Sequence, residues 1–96
     1  MNKVRFSASC ENDLDQIWLY IAQDRQDIEI ATRVVETLTE RCWLLASNPH
    51  LGRSRLDLAP DLRSLIVGNY VILYSVSEDG CVLVHHVVDG RRDYAP

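Results

Sequence analysis

The chain has 96 residues, 47% of them hydrophobic and 25% charged, with a net charge of −4. That length holds one domain, burying about 60–65% of the surface its unfolded chain exposes, and the ordinary composition excludes a disordered or low-complexity chain. Both halves carry more acidic than basic residues, which disfavours sequence-independent binding to nucleic-acid phosphates. No apolar run approaches the ~20 residues of a membrane span. The N-terminus, MNKVRFSASCEND, turns acidic too early for a signal peptide. Cys10, Cys42 and Cys81 are odd in number and far apart. They fit small apolar thiols in a reducing cytosol and not a disulfide framework or a zinc site.

In chain order, Lys3 to Phe6 reads as a short extended segment. Ser7 or Ser9 can then cap a helix whose first turns carry Glu11, Asp13 and Asp15, where the helix dipole favours negative charge. Leu14, Ile17, Trp18, Ile21 and Ala22 recur at helical spacing and carry this helix to about Gln23. The polar stretch Asp24 to Asp27 is a turn. Ala31, Val34, Val35, Leu38, Cys42, Leu45 and Ala46 form the apolar stripe of a second helix, stopped by Asn48-Pro49. A turn this short makes the two helices an antiparallel hairpin. The period disappears in HLGRSRLDLAPD, residues 50–61, a loop. Three strands follow: Leu62 to Val67, Tyr70 to Val76 and Cys81 to Val88, joined by turns at Gly68-Asn69 and Ser77 to Gly80. The expected fold is α+β: an N-terminal strand at an edge and a helical hairpin packed on a three- to four-stranded antiparallel sheet, in one domain spanning 1–96.

This architecture carries a functional expectation. Tyr70 to Tyr74 is apolar at every position, so both faces of the sheet present hydrophobic side chains, and one helical hairpin covers one face only. A contiguous uncovered patch is a surface for a partner protein or a second copy. Nine of the ten basic residues are arginine, and the five in the second half are bunched at 53, 55 and 63, then 91 and 92; arginine suits planar, bidentate contacts to carboxylate or phosphate. The chain has no Gly-rich phosphate loop and no metal-ligand spacing. His85-His86 invites an acid–base reading, but neighbouring strand residues point to opposite faces, which keeps the two rings apart.

The order of DLDQIWLYIA, LLASNPHLGRSRLDLAPDLRSLIVGNYVILYSV and VVDGRRD resembles the ParE branch of the RelE/ParE superfamily, toxins of bacterial type II toxin–antitoxin modules, over nearly the whole chain. The resemblance rests on Asn48-Pro49, Gly52-Arg53, Leu62-Arg63-Ser64, Tyr70 to Tyr74 and Gly90-Arg91-Arg92-Asp93. It implies a cytosolic toxin that needs no cofactor and performs no covalent chemistry. Such a toxin binds DNA gyrase and traps its cleaved-DNA complex. A ParD-like antitoxin, a ribbon-helix-helix DNA-binding protein with a toxin-wrapping tail, neutralises it, so that DNA is met only through antitoxin or gyrase. The RelE-like branch instead cuts mRNA in the ribosome. Its members place an arginine after the tyrosine that opens the middle strand, where this chain has Val71, and lysines on the preceding strand, where Leu62 and Ser64 flank Arg63. A ribosome-dependent endoribonuclease and a non-toxic antitoxin-binding module are the alternatives. The residues assigned to toxicity are Arg53, Arg55, Arg63, Arg91, Arg92 and Tyr94. Those assigned to antitoxin contact are Trp18, Leu65, Val71 and Leu73.

Overall fold

A computed structural model describes residues 3–91. Strand β1 (Val4–Phe6) leads into helices α1 (Ala8–Asp24) and α2 (Ile28–Leu44). After them come β2 (Arg53–Ser54), β3 (Leu62–Val67), β4 (Tyr70–Val76) and β5 (Val82–Asp89). Ser7 caps α1: its hydroxyl accepts the Cys10 N–H at 2.9 Å and donates to the His85 carbonyl at 2.7 Å. One side chain thus starts the helix and ties it to the last strand. The Asp27 carboxylate caps α2 by accepting the Ile30 N–H at 3.1 Å. Between them Gln26 takes a positive φ of 52°, which reverses the chain within three residues.

The apolar stripe of α2 runs past the helix end, which falls at Leu44, ahead of Asn48-Pro49. The Leu45 and Ala46 N–H groups bond three residues back, to Cys42 and Trp43. The last turn therefore tightens and still delivers Leu45, fully buried, to the core. Trp18 bridges the helices by donating its indole N–H to the Thr32 hydroxyl at 3.1 Å.

The sheet has five strands in the order β1-β5-β4-β3-β2, more than the three or four expected. It is mixed, because β1 lies parallel to β5 with Val4 opposite Val82, while every other pairing is antiparallel. The added strand comes from the supposed loop, where Arg53 and Ser54 pair with Ser64 and Arg63. Two residues are too few to show a period, so only the tertiary partner reveals this strand. In the β3–β4 turn Gly68 takes φ +59° and Asn69 does not go positive, the pattern of a type II′ hairpin.

The helix-facing side of the sheet supplies Ile72, Tyr74, Val82, Val84 and Val87, which pack with Leu38, Cys42 and Cys10 from the helices. Burying each large apolar side chain contributes about 1.5–3 kcal/mol. Burial also pushes the Cys10 thiol up to about 11 and the Cys42 thiol up to about 12, so both are protonated core fillers at neutral pH. No helix among the described residues is long and apolar enough to cross a membrane.

Candidate functional site

The segment carrying Arg53 is held by one phenol. Tyr74 is fully buried on β4, and its hydroxyl accepts the Gly52 N–H at 2.8 Å while donating to the Pro49 carbonyl at 2.8 Å. Burial raises the Tyr74 pKa, which the Gly52 N–H and Arg63 only partly oppose, so the donated proton stays on. Glycine is required at position 52: a β-carbon there would lie 2.6 Å from the Tyr74 hydroxyl and 2.7 Å from the Ser64 carbonyl oxygen. Arg63 stands opposite Tyr74 in the sheet register and donates from Nη1 to the Gly52 carbonyl at 2.7 Å. Its guanidinium secures the backbone of the segment.

The arginines assigned to toxicity therefore have different roles. Arg53, Arg55 and Arg63 gather at the β2–β3 edge, with Arg53 exposed. Arg55 forms a two-pronged pair with Asp57, at 2.7 and 2.9 Å, and these bonds hold the exposed Asp57 carboxyl below its ordinary pKa. Arg91 lies apart, beyond β5, where the Gly90 N–H bonds to the Asn69 carbonyl; it pairs with Asp89 at 2.9 and 3.1 Å. Arg92 and Tyr94 lie outside the described residues.

The residues assigned to antitoxin contact do not share a face. Leu65 stands opposite Ile72 and packs against the core on the helix-covered side. Val71 and Leu73 point the other way, yet are only 4% and 7% exposed. In the middle of the sheet each has neighbours on both sides, Ile66 and Val88 beside Val71, Ser64 and His86 beside Leu73. Gly90 also stands against Val71, where a β-carbon on it would lie 3.2 Å from Val71 Cγ2; this face is closed at its centre, and apolar exposure moves to the flank, where Ile66 is 74% exposed. Sequence alternation contained that signal, since Ile66 shares a face with Val71. Trp18 is half-buried between the helices.

The histidines depart from expectation. A β-bulge shifts the register so that His86 stands opposite Leu73 and Val84 opposite Tyr74, leaving His85 as the extra residue. A bulge turns two consecutive side chains to one side, and the contacts agree: His85 Nε2 lies 2.8 Å from the Ser75 hydroxyl, on the face of Leu73. Burial, and then His86, lower the His85 pKa, so this ring is neutral at pH 7. His86 Nδ1 lies 3.1 Å from Asp13 Oδ2, which also accepts the Val87 N–H at 3.1 Å. Asp13 occupies the flank of β5 that β1 leaves open beyond Phe6. The residues described contain no group of His, Cys, Asp or Glu able to hold a metal ion.

Comparison with known proteins agrees with this frame. The model of the family "ParE toxin of type II toxin-antitoxin system, parDE" matches residues 4–94. Toxin ParE3 of Caulobacter vibrioides is 26% identical over 95 residues, covering 99% of this chain and 93% of that protein. Toxin ParE1 of Mycobacterium tuberculosis is 28% identical over 87 residues, covering 91% and 88%. Among solved structures, a chain of the chromosomal ParDE toxin–antitoxin system from P. aeruginosa superposes with a TM-score of 0.79 at 18% identity, covering 93% of this chain and 96% of that one. A chain of the RelBE2 toxin–antitoxin complex from M. tuberculosis gives 0.71 at 19% identity, covering 91% and 95%. These two share the fold. The family match spans almost every residue described, and the chain belongs to the ParE toxin family of type II toxin–antitoxin systems.

Proposed function

We propose that this toxin acts by binding DNA gyrase and trapping its cleaved-DNA complex, in the cytoplasm, and that a ParD-like antitoxin neutralises it. The observation that supports binding over RNA cleavage is the apolar centre of the open face. Val71 occupies the position where RelE-like members place an arginine, and it is sealed at 4% exposure. RNA cleavage needs charge stabilisation where a pentavalent phosphorus develops, and a buried valine supplies none. The surface assigned to gyrase is the β2–β3 edge with Arg53 foremost, Arg55 beside it, and the tail from Arg91 through Arg92 to Tyr94. Arg63 acts there as a positioning residue through Gly52. Arginine on these edges suits phosphate or carboxylate on the target.

The test uses purified toxin released from its antitoxin, with gyrase, ATP and relaxed plasmid. Blocked supercoiling with accumulation of cleaved plasmid, reversed by antitoxin, is the expected result. Intact supercoiling by protein that still arrests growth would discard gyrase. One observation favours a second reading, a ribosome-dependent endoribonuclease: the bulge brings His85 and His86 to one face beside Ser75. That reading requires cut mRNA on translating ribosomes, and loss of cutting in His85→Ala with His86→Ala.

A further inference from the structure

Helix α1 and strand β5 flank a cleft of about 360 Å³, within the roughly 300–1,000 Å³ usual for small-ligand sites. Ile17 and Val88 line it with apolar surface, and Asp13, Gln16, Tyr20 and Tyr70 bring polar groups to it. The fold leaves much of that polarity unused. Among the described residues no hydrogen bond reaches the Gln16 amide or either phenol. Asp13 accepts from both His86 and the Val87 N–H on one oxygen, Oδ2, while Oδ1 takes no bond. Burial, and then Asp89, raise the Tyr70 pKa, so that phenol keeps its proton at neutral pH. The charged groups around the cleft favour a positive occupant. Helix α1 carries Glu11, Asp13, Asp15 and Asp24 and no basic residue, with Arg25 just past its far end. On the β5 side Asp89 is matched by Arg91. The balance is negative, and Asp13 holds the open carboxylate oxygen.

We propose that this cleft binds an organic ammonium group carried on a methylene chain, either a free diamine or the lysine side chain of a partner protein. The ammonium would meet Asp13 Oδ1 between the phenols of Tyr20 and Tyr70, and its chain would lie along Ile17 and Val88. An ammonium is a compact charge that suits a single free oxygen, whereas a guanidinium gains most from two. The faces of tyrosine rings attract the same cation, and the Gln16 carbonyl and the phenol oxygens can accept its remaining N–H groups. A carboxylate or phosphate would instead meet like charge at Asp13. The cleft is separate from the Arg53 edge, so the proposal does not rest on gyrase being the target.

The test titrates the diamine putrescine into isotopically labelled full-length toxin at about pH 8, above the ordinary histidine range. The amide signals of Gln16, Tyr20 and Val88 are expected to shift together and saturate, with affinity falling roughly tenfold or more in Asp13→Asn and in Tyr20→Ala. Asp13→Asn keeps an acceptor for the Val87 N–H, and Tyr20 is exposed, so thermal melting should find both variants folded. Butanediol, of the same length without charge, is expected to leave the signals unmoved. Acetyl-lysine amide, with its side-chain ammonium free, separates the two sources: saturating shifts with it assign the cleft to a partner's lysine, and shifts with putrescine alone assign it to a free diamine. No saturating shift with either amine, equal binding of butanediol, or undiminished affinity in a folded variant would overturn the proposal.

Discussion

Replacing Tyr74 with phenylalanine removes one oxygen atom from the core and leaves the ring in place, so packing is nearly unchanged while two hydrogen bonds disappear. The Gly52 N–H, on a buried glycine, loses its acceptor at 2.8 Å; the Pro49 carbonyl loses its donor but is half-buried and can recover water. A buried donor left without a partner costs about 1–3 kcal/mol, and one such group dominates here, so a loss of about 2 kcal/mol is expected. For a domain of this size that lowers Tm by roughly 8–16 °C, at 4–8 °C per kcal/mol. The same change should also release Gly52 and, through Arg63, the segment bearing Arg53 and Arg55. Urea unfolding gives the stability, and hydrogen exchange at the Gly52 amide gives the local effect. Gly52→Ala should disturb the same place from the other side, forcing its β-carbon against Ser64 and Tyr74, at a cost of about 1–3 kcal/mol or more. A Tyr74→Phe variant within about 0.5 kcal/mol of wild type, with Gly52 exchange unchanged, would refute the claim that this hydroxyl holds the segment.

Asp13→Ala should leave the Val87 N–H exchanging faster and lower stability by about 1 kcal/mol. Asp13→Asn, which keeps an oxygen acceptor for that N–H, should lose less; equal losses would remove the backbone bond as the cause. His85 gives a pH dependence of known sign. Its pKa is lowered in the folded protein, so the unfolded chain takes up the proton first as pH drops below about 6.5. The stability it contributes is present above that value and is lost as pH falls through its folded pKa. His85→Gln should flatten this acidic decline in urea midpoints between about pH 7 and 5, and an identical profile would refute it.

The helical hairpin, the meander of β3 to β5 and the turn at Gly68-Asn69 are legible in the residues because each is a local matter: a repeat of apolar side chains, a cap, a residue tolerant of positive φ. The helix end at Leu44 was less legible, since Leu45 and Ala46 keep the apolar spacing while their bonds shift to three residues back. Arginine clustering along the chain pointed to Arg53, Arg55, Arg63, Arg91 and Arg92 as one group. It could not separate the exposed Arg53 from Arg63, whose guanidinium bonds the backbone of Gly52, because that depends on strand pairing: Arg53 on β2 stands opposite Ser64, while Arg63 on β3 stands opposite Tyr74.

What only the tertiary structure decided are relations between distant residues. The two-residue β2 exists because Ser64 and Arg63 are there to pair with it. The bulge at His85 reverses the rule that neighbours in a strand face apart, and no residue type marks it beforehand. Val71 and Leu73 are buried although they face away from the core, with Gly90 from beyond β5 close against Val71. Periodicity along the chain states which side chains share a face; how far each is covered depends on what the fold lays beside it.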